Sequence, residues 1–200
     1  ADMMIRTQSD RMTGKNGSWH IELDGISQET ALKIAERDDV VSIGAVTIFN
    51  PDGELPYRMD GKRVVLYGID ESYLTMNSTG AAEGRFPQGM GEIMLSSNAA
   101  RVLQVAVGDT VTLRTPSGDW DFTVSGLGGV EESYYSGQYS LMDAYLPRTA
   151  FAALMEQNNV HNLQTSYYVQ FTSASKAAKA IPELTAQHNL PENAVSENTG

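Results

Sequence analysis

Three histidines, three pairs of neighbouring carboxylates and a scatter of serines are the residues of this 200-residue chain that could do chemistry. His20, His161 and His188 do not stand at ligand spacing from one another, and the chain has no cysteine. Thiolate zinc sites, cysteine nucleophiles and disulfides are therefore excluded together. His20 falls on the polar side of the Trp19, Ile21, Leu23 alternation and is expected to be exposed. Asp38/Asp39, Asp119/Asp121 and Glu131/Glu132 are the carboxylate pairs that acid–base catalysis could use. All three read as turns or loop edges, where solvated acids are ordinary. There is no Gly-x-Ser-x-Gly elbow, and Ser96-Ser97 reads as a helix N-cap. The glycine-rich Thr123-Val-Ser-Gly-Leu-Gly-Gly129 lacks the Gly-x-Gly-x-x-Gly spacing and reads as the exit of a strand. The residues thus predict no catalytic, cofactor-binding or metal site. What remains is a polar loop over 131–140 carrying Tyr134, Tyr135 and Tyr139. It is either a partner-binding surface or a set of tyrosines packed onto the β-rich middle of the chain.

Charge narrows the classes further. Fourteen Lys and Arg against 25 Asp and Glu give a net charge of −11, which opposes binding to a phosphate backbone or to an anionic membrane surface. Nucleic acid is accordingly not an expected partner. Hydrophobic residues make up 41 % of the chain, enough for a core. No run of about 18 apolar residues occurs, and Ala1–Arg6 lacks the apolar stretch of a signal peptide. Absence of cysteine fits an extracytoplasmic protein, and the chain is expected to be a piece of a longer one.

The elements that must position these groups follow from hydrophobic period and punctuation. A half-buried strand is predicted over Ser18–Leu23, then a helix capped by Ser27 with Ala31, Leu32, Ile34 and Ala35 on its apolar face, then a β-branched strand Val40–Phe49. After Asn50-Pro51 come a strand over Lys62–Ile69, one helical turn over Asp70–Met76, and the densely patterned stretch 84–113. That stretch reads as a loop, a strand Glu92–Leu95, a helix carrying Ala99, Ala100, Val102 and Leu103, a Gly108-Asp109 turn and a strand from Thr110. A hairpin at 116–119 returns through Trp120, Phe122 and Val124. Later elements are a strand Asp143–Leu146, a helix Arg148–Gln157, a strand Tyr167–Phe171 and a helix Ala174–Gln187 in which Pro182 must kink or break the run. A last strand is predicted to start at Asn193–Ser196. The two ends therefore read β-α-β and β-α-(β) around a β-rich middle. The predicted fold class is α+β, a split ferredoxin-like base with an inserted β-rich subdomain.

Two sets of residues carry a resemblance to a known family. Gly17-Ser-Trp-His-Ile-Glu-Leu23 with Gly25-Ile-Ser, the helix after it and Val40-Val-Ser-Ile-Gly44 form one set. Gly84-Arg85, Pro87, Glu92-Ile93, Leu95-Ser96, Ala100, Leu103 and Gly108-Asp109, followed by Phe122-Thr-Val-Ser-Gly126, form the other. Together the chain resembles the extracytoplasmic (periplasmic core) domain of MacB/FtsX-like ABC transporter permeases over roughly residues 17 to 175. The resemblance implies a porter-like α+β subdomain over 18–50 plus 163–200 and a β-rich sabre-like subdomain inserted over 51–162. Residues 1–17 would be a stalk from a first transmembrane helix. It further implies a cell-membrane protein with this domain on the extracellular or periplasmic side and no enzymatic activity. An ABC-type ATPase subunit or domain would act through the membrane part. A second permease copy and an adaptor or substrate protein are the other implied partners, with hinges near Asn50-Pro51 and over 158–164. The implied work is export, lipoprotein release or activation of a hydrolase, and the isolated piece is expected to be monomeric. The competing reading is a stand-alone secreted or lipid-anchored binding module using the Tyr134–Tyr139 loop. Arg85 and Glu92 either bridge within the fold or face a partner.

Overall fold

A computed structural model describes residues 17–77, 80–129 and 141–199. The fold is mixed α/β, on one connected sheet. Strand β1 (Ile21–Asp24) leads into helix α1 (Gln28–Ala35), and the ten-residue strand β2 (Val40–Phe49) follows. The hydroxyl of Ser27 accepts the Thr30 N–H at 3.1 Å, satisfying an otherwise orphaned helix-start donor. Far along the chain, β10 (Thr165–Phe171), α5 (Ala174–His188) and β11 (Val195–Glu197) complete this end. The strands pair in the order β11-β1-β10-β2, antiparallel throughout. Ala31 and Ile34 of α1 and Ala177, Ala180 and Leu184 of α5 pack with Ile21, Leu23, Ala45, Val169 and Phe171 into one buried cluster. Helix α5 runs through Pro182 as a single segment, so of the kink or break that the sequence suggested there is no break; the missing donor lies on an exposed side of the helix.

The middle of the chain closes into a ring. Its strands are β3 (Arg58–Met59), β4 (Lys62–Ile69), β6 (Glu92–Leu95), β7 (Thr110–Thr115), β8 (Gly118–Gly128) and β9 (Met142–Pro147). They pair in the order β4-β3-β7-β8-β6-β9, and β9 then pairs in parallel with β4, Val64 opposite Met142 through Ile69 opposite Pro147. Strand β5 (Ala81–Gly84) adds to β8. Closure removes the open edges that a sheet of this size would otherwise expose. Val64, Leu66, Ile93, Leu95, Leu113, Phe122, Val124, Ala144 and Leu146 form the filling. Helix α4 (Arg148–Gln157) adds Ala150, Phe151, Leu154 and Met155 to it, and α3 (Ser97–Leu103) adds Ala99 and Ala100. Ser96, not Ser97, is the α3 cap, accepting the Ala99 N–H at 3.1 Å.

Strand β2 joins the two regions. It pairs with β10 from Val40 to Thr47 and with β4 from Val46 to Phe49. On the other face of the sheet, helix α2 (Glu71–Asn77) lies over this joint. Tyr73 and Leu74 pack there with Val46, Val65, Tyr67, Ile69, Met94 and Tyr145, a third cluster that draws on both regions. Gly44 makes the approach possible, because a Cβ there would fall on the backbone of Tyr73. Asn50, at φ 62°, ends β2 with its side chain bonded to Val64 O and the Leu55 N–H, both at 2.9 Å.

Candidate functional site

The groove between α1 and α4 places Arg148 beside the exposed Leu32. Gln28, Ala31 and Leu32 of α1 form one wall, Arg148, Thr149 and Ala152 of α4 the other, and Ile43 and Tyr167 the floor. The space measures about 350 Å³. A second depression of about 240 Å³ continues past Arg148 and Ala152 towards Thr47, Thr165 and the segment 160–163. Thr47 and Thr165 face each other across β2 and β10 with their hydroxyls 2.6 Å apart.

Each wall has a local reason. Helix α1 turns Ala31 and Ile34 into the core, so Leu32, one position on, is left at the rim with 59 % of its surface exposed. Helix α4 starts directly after β9, and Pro147 stands at its cap position without a side-chain hydrogen bond. Arg148 is thereby held half-buried above the sheet, its guanidinium 5.9 Å from the centre of the Tyr167 ring. Among the described residues no carboxylate comes within ion-pairing distance of Arg148. Asp70 also lines the groove, but its Oδ2 accepts the Ala45 N–H at 2.9 Å. The groove can hold apolar groups beside an anion. It contains no nucleophile with an adjacent base.

The residues singled out from sequence do other things. His20 is half-buried, not exposed as expected: its Nδ1 accepts the Phe171 N–H at 2.9 Å, and burial lowers its pKa from 6.5. His161 bonds Asn159 Oδ1 at 2.9 Å, and His188 lies in the last turn of α5. Asp39 takes a two-pronged bond from Arg37 at 2.9 and 3.0 Å, which holds its carboxyl below the usual range. Arg37 also reaches Glu183 at 2.8 Å, so this acid ties α1 to α5. Asp119 pairs with Arg114 at 3.5 Å and Asp121 accepts from Thr112 at 2.7 Å. Arg85 and Glu92 bridge within the fold, Nη1 to Oε1 at 2.7 Å, and Glu92 also accepts the Gln88 N–H at 2.8 Å. The arginine bond, with the Gln88 bond second, lowers the Glu92 pKa. Tyr134, Tyr135, Tyr139, Glu131 and Glu132 lie outside the described residues.

Among the described residues, no three His, Asp or Glu side chains come together as a metal cage. No helix there is long and apolar enough to cross a membrane. Sequence reasoning passed over Arg148, which it saw only as the start of a helix. The available signal was a cation at the first helical position, where the helix dipole disfavours it.

Comparison with known proteins adds the family. The chain resembles the periplasmic region of MacB from Actinobacillus actinomycetemcomitans, with a TM-score of 0.62 at 14 % identity over 90 % of this chain and 87 % of that one. It also resembles a domain assigned to a permease protein from Porphyromonas gingivalis, with a TM-score of 0.55 at 17 % identity over 91 % and 89 % of the two chains. At such identities the likeness is one of fold. Among curated proteins, none matches the chain. The model of the MacB-like periplasmic core domain matches residues 2–187, nearly the whole length. The chain belongs to the MacB-like periplasmic core domain family, the extracytoplasmic domain of ABC transporter permeases.

Proposed function

We propose that this domain is a non-catalytic transmission body, coupling ATP hydrolysis on the cytoplasmic side to work outside the membrane. The work is export, lipoprotein release or activation of a hydrolase. In this reading 18–50 and 163–200 form a split ferredoxin-like base, 51–162 form the inserted part, and 1–17 lead in from a first transmembrane helix. An ABC-type ATPase acts through the membrane part, and two permease copies move against each other. The observation that carries the reading is the shared strand β2, hydrogen-bonded to the base through β10 and to the ring through β4. Strands β1 and β11 also pair antiparallel, Ile21 opposite Glu197, so the described chain ends lie side by side. A displacement applied at both ends passes along one bonded sheet into the ring, as a rigid-body motion requires. Of the two joints suggested by sequence, the one at Asn50 is tied by its side chain, which leaves bending to the segment 158–164.

The test uses the full-length permease reconstituted with its ATPase. This domain has no cysteine, so Glu36→Cys labels it at one exposed place. The distance between labels on the two copies is expected to change between ATP-bound and ADP-bound states. An identical distance distribution in both states overturns the reading. Family membership does not favour the stand-alone binding module.

A further inference from the structure

We infer that the groove between α1 and α4 docks an acidic, apolar segment of a partner protein, its carboxylate on Arg148 and its apolar side chains against Ala31, Leu32, Ile43 and Ala152. Arg148 carries the argument. Among the described arginines, Arg37, Arg63, Arg85 and Arg114 each reach a carboxylate of this chain, in a protein with an excess of acids. Arg58 and Arg101 reach no carboxylate but bond backbone carbonyls and the Asn98 side chain. Arg148 reaches neither a carboxylate nor a neutral acceptor among the described residues, although Asp70 lines the same groove and Glu156 its continuation. The position does not favour a cation locally either, since Arg148 opens α4 and the helix dipole opposes positive charge there. Among the described residues Arg148 lies over the Tyr167 face at 5.9 Å, which holds the guanidinium above the groove floor without neutralising it.

The surroundings select the rest of the ligand. A free carboxylate or phosphate would use Arg148 but leave Leu32 at the rim in water and Ile43 uncovered. A segment with an apolar side chain next to its acid covers both. The groove is concave and bounded by two helices, which suits a helix or extended strand of a partner laid along α4. A flat lipid surface could not enter between the two helices that wall the groove. The inference rests on the groove alone and is read without the ATPase, so it stands or falls separately from the transmission reading.

The experiment selects random phage-displayed dodecapeptides against the 200-residue chain and follows the enriched sequences as synthetic peptides. Enriched sequences are expected to place Asp or Glu within one helical turn of Leu, Ile or Phe. Their amide shifts are expected to centre on Ala31, Leu32, Ile43 and Ala152. Arg148→Gln is expected to weaken them about tenfold or more, as loss of a charge-assisted bond does, with Arg148→Lys retaining part of the affinity. An unchanged melting temperature for Arg148→Gln separates loss of binding from loss of fold. The proposal is overturned by an absence of enriched peptides, by peptides without an acid, by equal binding to Arg148→Gln or by shifts outside the groove. It is overturned equally if phosphatidylglycerol vesicles or self-association, and not peptides, perturb these residues.

Discussion

The four-stranded end and the ring solve the same problem in opposite ways. At the four-stranded end, β1, α1 and β2 are consecutive, as are β10, α5 and β11, and two helices cover one face. Among the described residues its outer strand β11 pairs only with β1, and it is only three residues long, too short to recruit another chain. The ring itself closes, because β9 returns to β4, and only the four-residue β5 is added outside it. That closure depends on pairing across a long stretch of sequence, and its core is filled from the six ring strands, Phe49 of β2 and two helices. The difference teaches where each region is vulnerable. The open end rests on local units and a few ties, such as Arg37 to Asp39 and Glu183. The ring rests on many side chains that must all fit.

The two tryptophans allow this to be tested, since Trp19 belongs to β1's approach and Trp120 to β8. The largest effect is expected from Leu154→Ala, which empties a fully buried site in the ring, and from its counterpart Leu184→Ala. Each should cost about 2–5 kcal/mol. Denaturant unfolding followed in Trp19→Phe and Trp120→Phe backgrounds should show both signals moving together, because β2 and the cluster around Tyr73 and Tyr145 span the joint. A shift confined to one tryptophan would mean that the two regions unfold separately.

A smaller effect, about 1–3 kcal/mol, is expected for overpacking at the two close-approach glycines. A Cβ at Gly44 would meet backbone atoms of Tyr73, whereas one at Gly68 would meet Cβ, Cγ and Cδ2 of the Phe151 side chain. A side chain turns about its own bonds, whereas a backbone moves only with its helix. Gly44→Ala should therefore lower the melting temperature more than Gly68→Ala, and a Phe151→Ala background should reduce the added cost of Gly68→Ala while leaving that of Gly44→Ala unchanged.

The smallest effect is a pH dependence that differs between the regions. His20 has a lowered pKa in the fold. Its contribution is complete above the unfolded value of 6.5 and is lost as pH falls through the folded one. Glu92 is also lowered, so its contribution is present above its unfolded value of 4.5 and disappears at still more acid pH. Stability measured between pH 7 and 5 should decline less in His20→Gln than in the wild type. Glu92→Gln should leave that window unchanged and flatten only the decline below it. A variant pattern with these windows exchanged would contradict the assignments.

Legibility from sequence follows the same division. Helix α4 and strands β2, β4 and β6 have the expected bounds, because β-branched runs and amphipathic periods are local signals. Strand β3 is only two residues, and β5 is Ala-Ala-Glu-Gly, without a β-former. Both exist because neighbours offer them hydrogen bonds. His20 has the pattern of an exposed residue, yet the Phe171 N–H of a distant strand needs its ring nitrogen.

Residue types at short spacing specify most of the elements, the excess of acids, the lack of thiol chemistry and the signature of the family. Tertiary pairing alone creates β3 and β5, closes the middle into a ring and makes β2 serve both regions. It also brings Leu32, Ile43, Arg148 and Tyr167 around one groove. Those outcomes depend on which distant strands pair and which helices face each other, and the free energy that selects them lies in burial and hydrogen bonding between segments far apart in the chain.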